Sequence, residues 1–127
     1  MERFLIVCAG GAAGSGSRYL VGLWAGKQFG SHFPFGTLIV NLVGCFLIAL
    51  VMQLAVGIEG FPENLRLGLT AGFMGGLTTY SSFNFETTNL LRQRAWAAGL
   101  ANLGLTLGAC FIAGMLGLAL ANRIAEP

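Results

Sequence analysis

The sequence predicts an all-α integral membrane protein with four transmembrane helices per subunit, the third of them broken mid-membrane. Three observations carry this. Of 127 residues, 55% are hydrophobic and 9% charged, with a mean hydropathy of +0.75, whereas a soluble domain is about 25% charged. Four apolar stretches, about 4–26, 36–56, 65–91 and 95–122, follow one another, each near the roughly 20 residues that a span requires. And the run Gly72-Phe73-Met74-Gly75-Gly76-Leu77-Thr78-Thr79-Tyr80-Ser81-Ser82-Phe83 crowds glycines, hydroxyls and aromatics into the middle of the third stretch. Residues 1–127 thus read as a single four-helix transmembrane domain, with no room for a separate soluble one.

The first span could mimic a signal peptide, but its apolar run continues past Arg18 and three more spans follow, so it reads as a mature helix. Its segment Gly10-Gly11-Ala12-Ala13-Gly14-Ser15-Gly16-Ser17-Arg18-Tyr19 is glycine-rich without being a phosphate loop, because the Lys-Ser/Thr ending and a preceding strand are absent. Arg18 falls within or near the far end of the span. It either snorkels to the interface or is a cation in an aqueous vestibule that draws anions in.

The second span follows Gly30-Ser31-His32-Phe33-Pro34 and places Asn41 in apolar surroundings. Its amide offers two N–H donors. Two roles are open to it: an interhelical hydrogen bond or a donor lining an anion path. Residues Gly57 to Asn64 form the next connection.

The third span is longer than one crossing needs, which leaves slack for a break near Gly75–Tyr80. Broken backbone survives at membrane depth only where protein or a water-filled cavity satisfies its polar groups, and such breaks recur at ion and substrate sites. A broken turn at Gly75-Gly76 would free carbonyls suited to a hard cation, and Thr78, Thr79, Ser81 and Ser82 add hydroxyls. Tyr80 and Phe83, three apart, share a face of the resumed helix. They are either packing residues or electropositive ring edges turned to an anion. Glu86, one turn on, is the one acid within a span, able to pair with a base or handle protons.

The last span follows Arg92-Gln93-Arg94. Asn102, Thr106 and Cys110 recur every four residues as a mildly polar stripe opposite Leu103, Leu107 and Phe111. Such a stripe faces protein or water rather than lipid. G-x-x-x-G spacings at Gly10/Gly14, Gly22/Gly26, Gly72/Gly76 and Gly104/Gly108 suit close helix packing in lipid.

Catalysis is excluded on composition. His32 is the one histidine and the chain has no Asp, so an acid pair, a triad and a zinc site cannot be assembled within one chain. Cys8, Cys45 and Cys110 lie in apolar segments without pairing spacing and read as small apolar helix residues rather than a disulfide or metal set. The net charge of +2 says little about partners; no nucleic-acid partner is expected.

Four spans put both termini on one side. Outside the spans or at their ends, that side holds Arg3, Arg66 and Arg123, and the other holds Lys27, Arg92 and Arg94. Three against three leaves almost no positive-inside bias. Either the tie is a chance of few charges, or the chain inserts both ways and pairs with an inverted copy of itself in the bilayer. The second reading gives an antiparallel, dual-topology homodimer.

Taken in order, a glycine pair ahead of Arg18-Tyr19, the segment Gly36-Thr37-Leu38 to Val40-Asn41 and Gly44, and above all the run Gly72–Phe83 resemble the Fluc (CrcB) family of small fluoride channels. The resemblance covers all four spans. It implies an antiparallel dimer in the inner membrane with two fluoride pores and a central structural sodium ion. It implies that Gly75 and Thr78 carbonyls bind sodium and that Tyr80 and Phe83 are the pore aromatics. Asn41 would be the pore amide and Arg18 the vestibule arginine. Ser81, Ser82, Thr79, Thr106 and Cys110 would lie on a polar track, with Glu86 beside it. Tyr80 stands where the family more often has Phe, and Asn102 where a Tyr often stands. The function expected is passive export of cytoplasmic fluoride. The competing readings are a proton-coupled small multidrug or guanidinium exporter and a non-transporting accessory subunit. The exporter needs a Glu inside the first span, and this span has Arg18 instead.

Overall fold

A computed structural model describes residues 1–125. It is all-helical. The helices are α1 (Glu2–Phe29), α2 (Phe35–Gly57), α3 (Glu63–Leu67), α4 (Gly75–Leu77), α5 (Tyr80–Arg92) and α6 (Trp96–Ala125), with a π-helical stretch Gly68–Met74 between α3 and α4. Among the described residues α1, α2 and α6 are each long and apolar enough to cross a membrane alone. The third crossing is built from pieces: α3, the π-helical stretch and α4 on one side of a break, α5 on the other.

Two packings hold the chain together. α2 lies along α6 in the most extensive interface, and α1 lies along the π-helical stretch and α4. The second depends on missing side chains. A Cβ on Gly10 would come to 2.5 Å from the Gly68 carbonyl oxygen, one on Gly14 would strike the Phe73 carbonyl oxygen, and one on Gly76 would strike the Gly11 carbonyl oxygen. The Gly10/Gly14 and Gly72/Gly76 pairs therefore interlock backbone to backbone, the close approach that small residues permit in lipid. The Gly22/Gly26 and Gly104/Gly108 pairs differ, since Cβ atoms there would meet nothing within 4 Å.

The small core runs through Val40, Met74, Leu77, Phe83, Ala113 and Ala121, while large apolar residues such as Leu20, Leu100, Phe111 and Leu116 are exposed along the outer faces. That inversion of the soluble pattern is expected where the solvent is hydrocarbon. At one end Arg3 donates to Glu63 at 2.6 Å and Asn64 to Glu2 at 2.9 Å, tying the start of α1 to α3. The π-helical stretch begins where Thr70 Oγ1 turns back to the Arg66 carbonyl at 2.8 Å, a bond that competes with the regular helix ladder.

The break falls at Thr78–Thr79 rather than at Gly75-Gly76. Gly75 and Gly76 stay helical because Gly76 must nest against α1. Thr78 and Thr79 are extended (ψ 154° and φ −153°, respectively), and Thr79 serves as the N-cap of α5, its side chain accepting from the Ser82 amide.

Candidate functional site

Two extended residues inside a membrane leave backbone groups to satisfy, and Asn41 satisfies those of Thr79. Its Nδ2 donates to the Thr79 carbonyl at 3.0 Å, and its Oδ1 accepts the Thr79 N–H at 2.8 Å. One amide side chain on α2 thereby pairs both polar groups of the residue at the break, and the second Nδ2 proton stays available. Gly44, one turn further along α2, has no Cβ because one would collide with the Thr78 methyl. Thr79 Oγ1 accepts from the Ser82 N–H at 3.2 Å, donates to Ser82 Oγ at 3.1 Å and lies 3.2 Å from Ser81 Oγ.

These bonds redirect amides that a continuous helix would spend on carbonyls four residues back. The Thr79 N–H goes to Asn41 rather than to Gly75, and the Ser82 N–H goes to Thr79 Oγ1 rather than to Thr78. The carbonyls of Gly75, Gly76, Leu77 and Thr78 are thus the four that the break deprives of helical donors, and that of Gly76 takes the Ser15 hydroxyl instead at 3.5 Å. Neutral oxygens of this kind are ligands for a hard cation, and the Gly75 and Thr78 carbonyls to which the resemblance assigns sodium are among them.

A cavity of about 220 Å³ opens at the break. Asn41, Thr78, Thr79, Tyr80, Phe83, Thr106 and Cys110 line it, together with Cys45 and Leu107. Its lining carries no formal charge. The Tyr80 and Phe83 rings meet edge-on, centroids 5.6 Å apart at 62°. Phe83 is buried at 3% exposure while Tyr80 stands out at 75%, so the pair leads from the protein interior to the outer face. Thr106 Oγ1 is buried without a hydrogen-bond partner among the described residues, which leaves a hydroxyl free to serve whatever occupies the cavity.

Other expected site residues lie beside the cavity. Ser81 and Ser82 occupy the first turn of α5. Glu86 accepts from Thr37 Oγ1 at 2.7 Å, and its second oxygen is buried and unpaired among the described residues. Asn102, 1% exposed, donates to Thr87 Oγ1 at 2.8 Å, which in turn donates to the Phe83 carbonyl at 2.7 Å. Asn102 therefore braces the turn that carries Phe83 instead of lining the cavity. Arg18 is half-buried on α1 and does not reach the lining. Three participants were not singled out from sequence: Cys45, Thr37 and Thr87. Cys45 follows Asn41 by four and Thr87 follows Phe83 by four, and that same-face spacing was the available signal.

Fold and site together define a multi-pass membrane protein with a neutral, hydroxyl- and aromatic-lined cavity at a mid-membrane helix break. The family model described as CrcB-like protein, Camphor Resistance (CrcB), matches residues 5–118. A protein of Sorangium cellulosum (strain So ce56) named fluoride-specific ion channel FluC is 48% identical over 124 residues, covering 98% of each chain. Proteins of the same name from Anaeromyxobacter sp. (strain K) and Clostridium perfringens (strain 13 / Type A) are 52% and 41% identical, covering 89% and 93% of this chain and 90% and 92% of theirs. The chain belongs to the CrcB family.

Proposed function

We propose that this chain is a fluoride-selective ion channel, not an enzyme, and that it lowers cytoplasmic fluoride by passive export across the inner membrane. The observation that carries the reading is the uncharged cavity at the break, where Asn41, Thr79, Thr106 and the Tyr80–Phe83 edge pair converge. Fluoride is small and strongly hydrated. Amide, hydroxyl and ring-edge donors can replace its shell, whereas a fixed cation in the middle would hold it too tightly to leave. Family membership, with relatives named fluoride-specific ion channels over nearly the whole chain, supports the same conclusion.

The working unit in this reading is an antiparallel homodimer with two pores. The charge tie across the spans supports it, as does the outward reach of Tyr80, which a second copy would enclose. A structural sodium ion would be held by the Gly75 and Thr78 carbonyls of both copies, supplying fixed positive charge that fastens the breaks together. A dimer structure in which those carbonyls face no ion would remove it. Ser81 and Ser82 extend the donor track, Glu86 and Asn102 flank it, and Arg18 sits at the vestibule.

Purified protein in liposomes tests the function. Fluoride efflux followed by electrode should be rapid, and chloride efflux from the same vesicles should stay at background. Comparable chloride flux, or no fluoride flux from a well-folded dimer, would overturn it.

A further inference from the structure

Cys45 and Cys110 take no part in the hydrogen-bond scheme at the break, yet they face the same cavities from the two helices of the α2–α6 seam. Cys110 is buried and Cys45 partly so. Both line the 220 Å³ cavity, and both line an adjoining one of about 450 Å³ that continues along the same seam. Met115 brings a thioether to that second cavity. Neither lining contains a carboxylate, an imidazole or an ammonium group. The two sulfurs are therefore not part of a charged hard-donor set, and zinc, which takes four strong ligands in structural sites, finds too few around them. Paired thiols with a nearby thioether are a soft donor set, and soft sulfur ligands select Cu(I) and cations like it.

We propose that Cys45 and Cys110 form a two-sulfur binding site for a soft monovalent cation, Cu(I) or Ag(I), in the wall of the cavity at the helix break. On binding, each thiol releases its proton and each sulfur donates a lone pair to the metal. Two S–metal bonds form, two protons leave to water through the cavity, and nothing is oxidised or reduced. The resulting bis-thiolate complex carries one net negative charge. An anion fixed in that wall repels a passing anion and fills space beside Thr106, so an occupied site suppresses fluoride flux. This last consequence rests on the cavity being the fluoride path; the binding itself does not.

The experiment uses the full chain with Cys8→Ser, which removes the exposed third thiol. The probe is silver nitrate in chloride-free buffer, followed by desalting. Silver should be retained stoichiometrically with release of protons, and X-ray absorption should show two sulfur neighbours at the metal. Adding Cys45→Ser or Cys110→Ser should each abolish retention in protein that elutes as the same species. Should either variant fail to fold, the sulfur count on the Cys8→Ser chain decides alone. Silver that washes off, that binds one sulfur, or that is kept equally by either folded serine variant overturns the site. In liposomes of the same preparation, bound silver should bring fluoride efflux to background, and a dithiol chelator should restore it. Undiminished efflux with silver bound overturns the blocking role and leaves the site standing. A silver-free chain that never conducts fluoride overturns the channel reading instead, while the binding data stand by themselves.

Discussion

Asn41 shows how much one side chain can decide in a membrane. Without it the Thr79 N–H would lose its partner at the break, while the Thr79 carbonyl, at the N-cap of α5, keeps the first helical N–H; a buried orphan of this kind costs about 1–3 kcal/mol. Asn41→Ala is therefore expected to destabilise the protein by about 1–3 kcal/mol, read as a lower thermal midpoint of the detergent-solubilised protein. An unchanged midpoint would show that the break is held by something else. Phe83 poses a different question, because its burial is compatible with packing alone. Phe83→Ile keeps bulk and apolarity and loses the ring quadrupole. Fluoride efflux should fall strongly while the protein still elutes as the same folded species on size exclusion. A folded variant with unaltered efflux would take Phe83 out of the pore. Tyr80→Phe should be mild, since the exposed ring stays and only its hydroxyl goes.

At the scale of elements, backbone contact between α1 and the third span sets the depth at which the break sits. Gly76→Ala would place a Cβ against the Gly11 carbonyl oxygen and 2.9 Å from the Ser15 amide nitrogen. Neither neighbour is a flexible side-chain end, so the helices must separate. Overpacking of this kind costs about 1–3 kcal/mol, and yield of folded protein should drop accordingly; normal yield would mean that α1 can shift without loss. The four spans were legible in hydropathy because a membrane demands long apolar runs, and the break was legible as a neighbourhood because glycines and hydroxyls crowd there. The expected range Gly75–Tyr80 contains it, but the residues at which it falls were not legible. Glycine suggested Gly75-Gly76, but those glycines serve contact with α1, while Thr79 as helix cap and Asn41 as its partner place the break two to three residues later. The partnership joins residues 38 apart, which local pattern cannot show. The same holds for Asn102: its four-residue spacing from Thr106 put it on the right face, but only the fold shows its amide spent on Thr87.

For the whole molecule the deciding quantity is the balance of charges between the two sides of the bilayer. Arg3, Arg66 and Arg123 stand against Lys27, Arg92 and Arg94, and Arg66 and Arg3 lie together near Glu63 at one end of the structure. With no bias a C-terminal reporter should show both orientations in similar amounts. Because loop Lys and Arg set orientation, small additions should tip the tie. Glu59→Lys adds a cation in an exposed loop on the terminal side, and Gln93→Lys adds one in the exposed turn on the other. Each variant alone should insert predominantly one way, the two in opposite senses, and each alone should lose most of its fluoride efflux because inverted partners become scarce. Expressed together they should form mixed dimers and regain it. Neither substitution touches the cavity lining, so lost efflux in a single variant cannot be ascribed to a damaged pore if co-expression restores it. A variant that points one way throughout and still conducts fully would mean that copies work side by side or alone, and the antiparallel dimer would have to be given up.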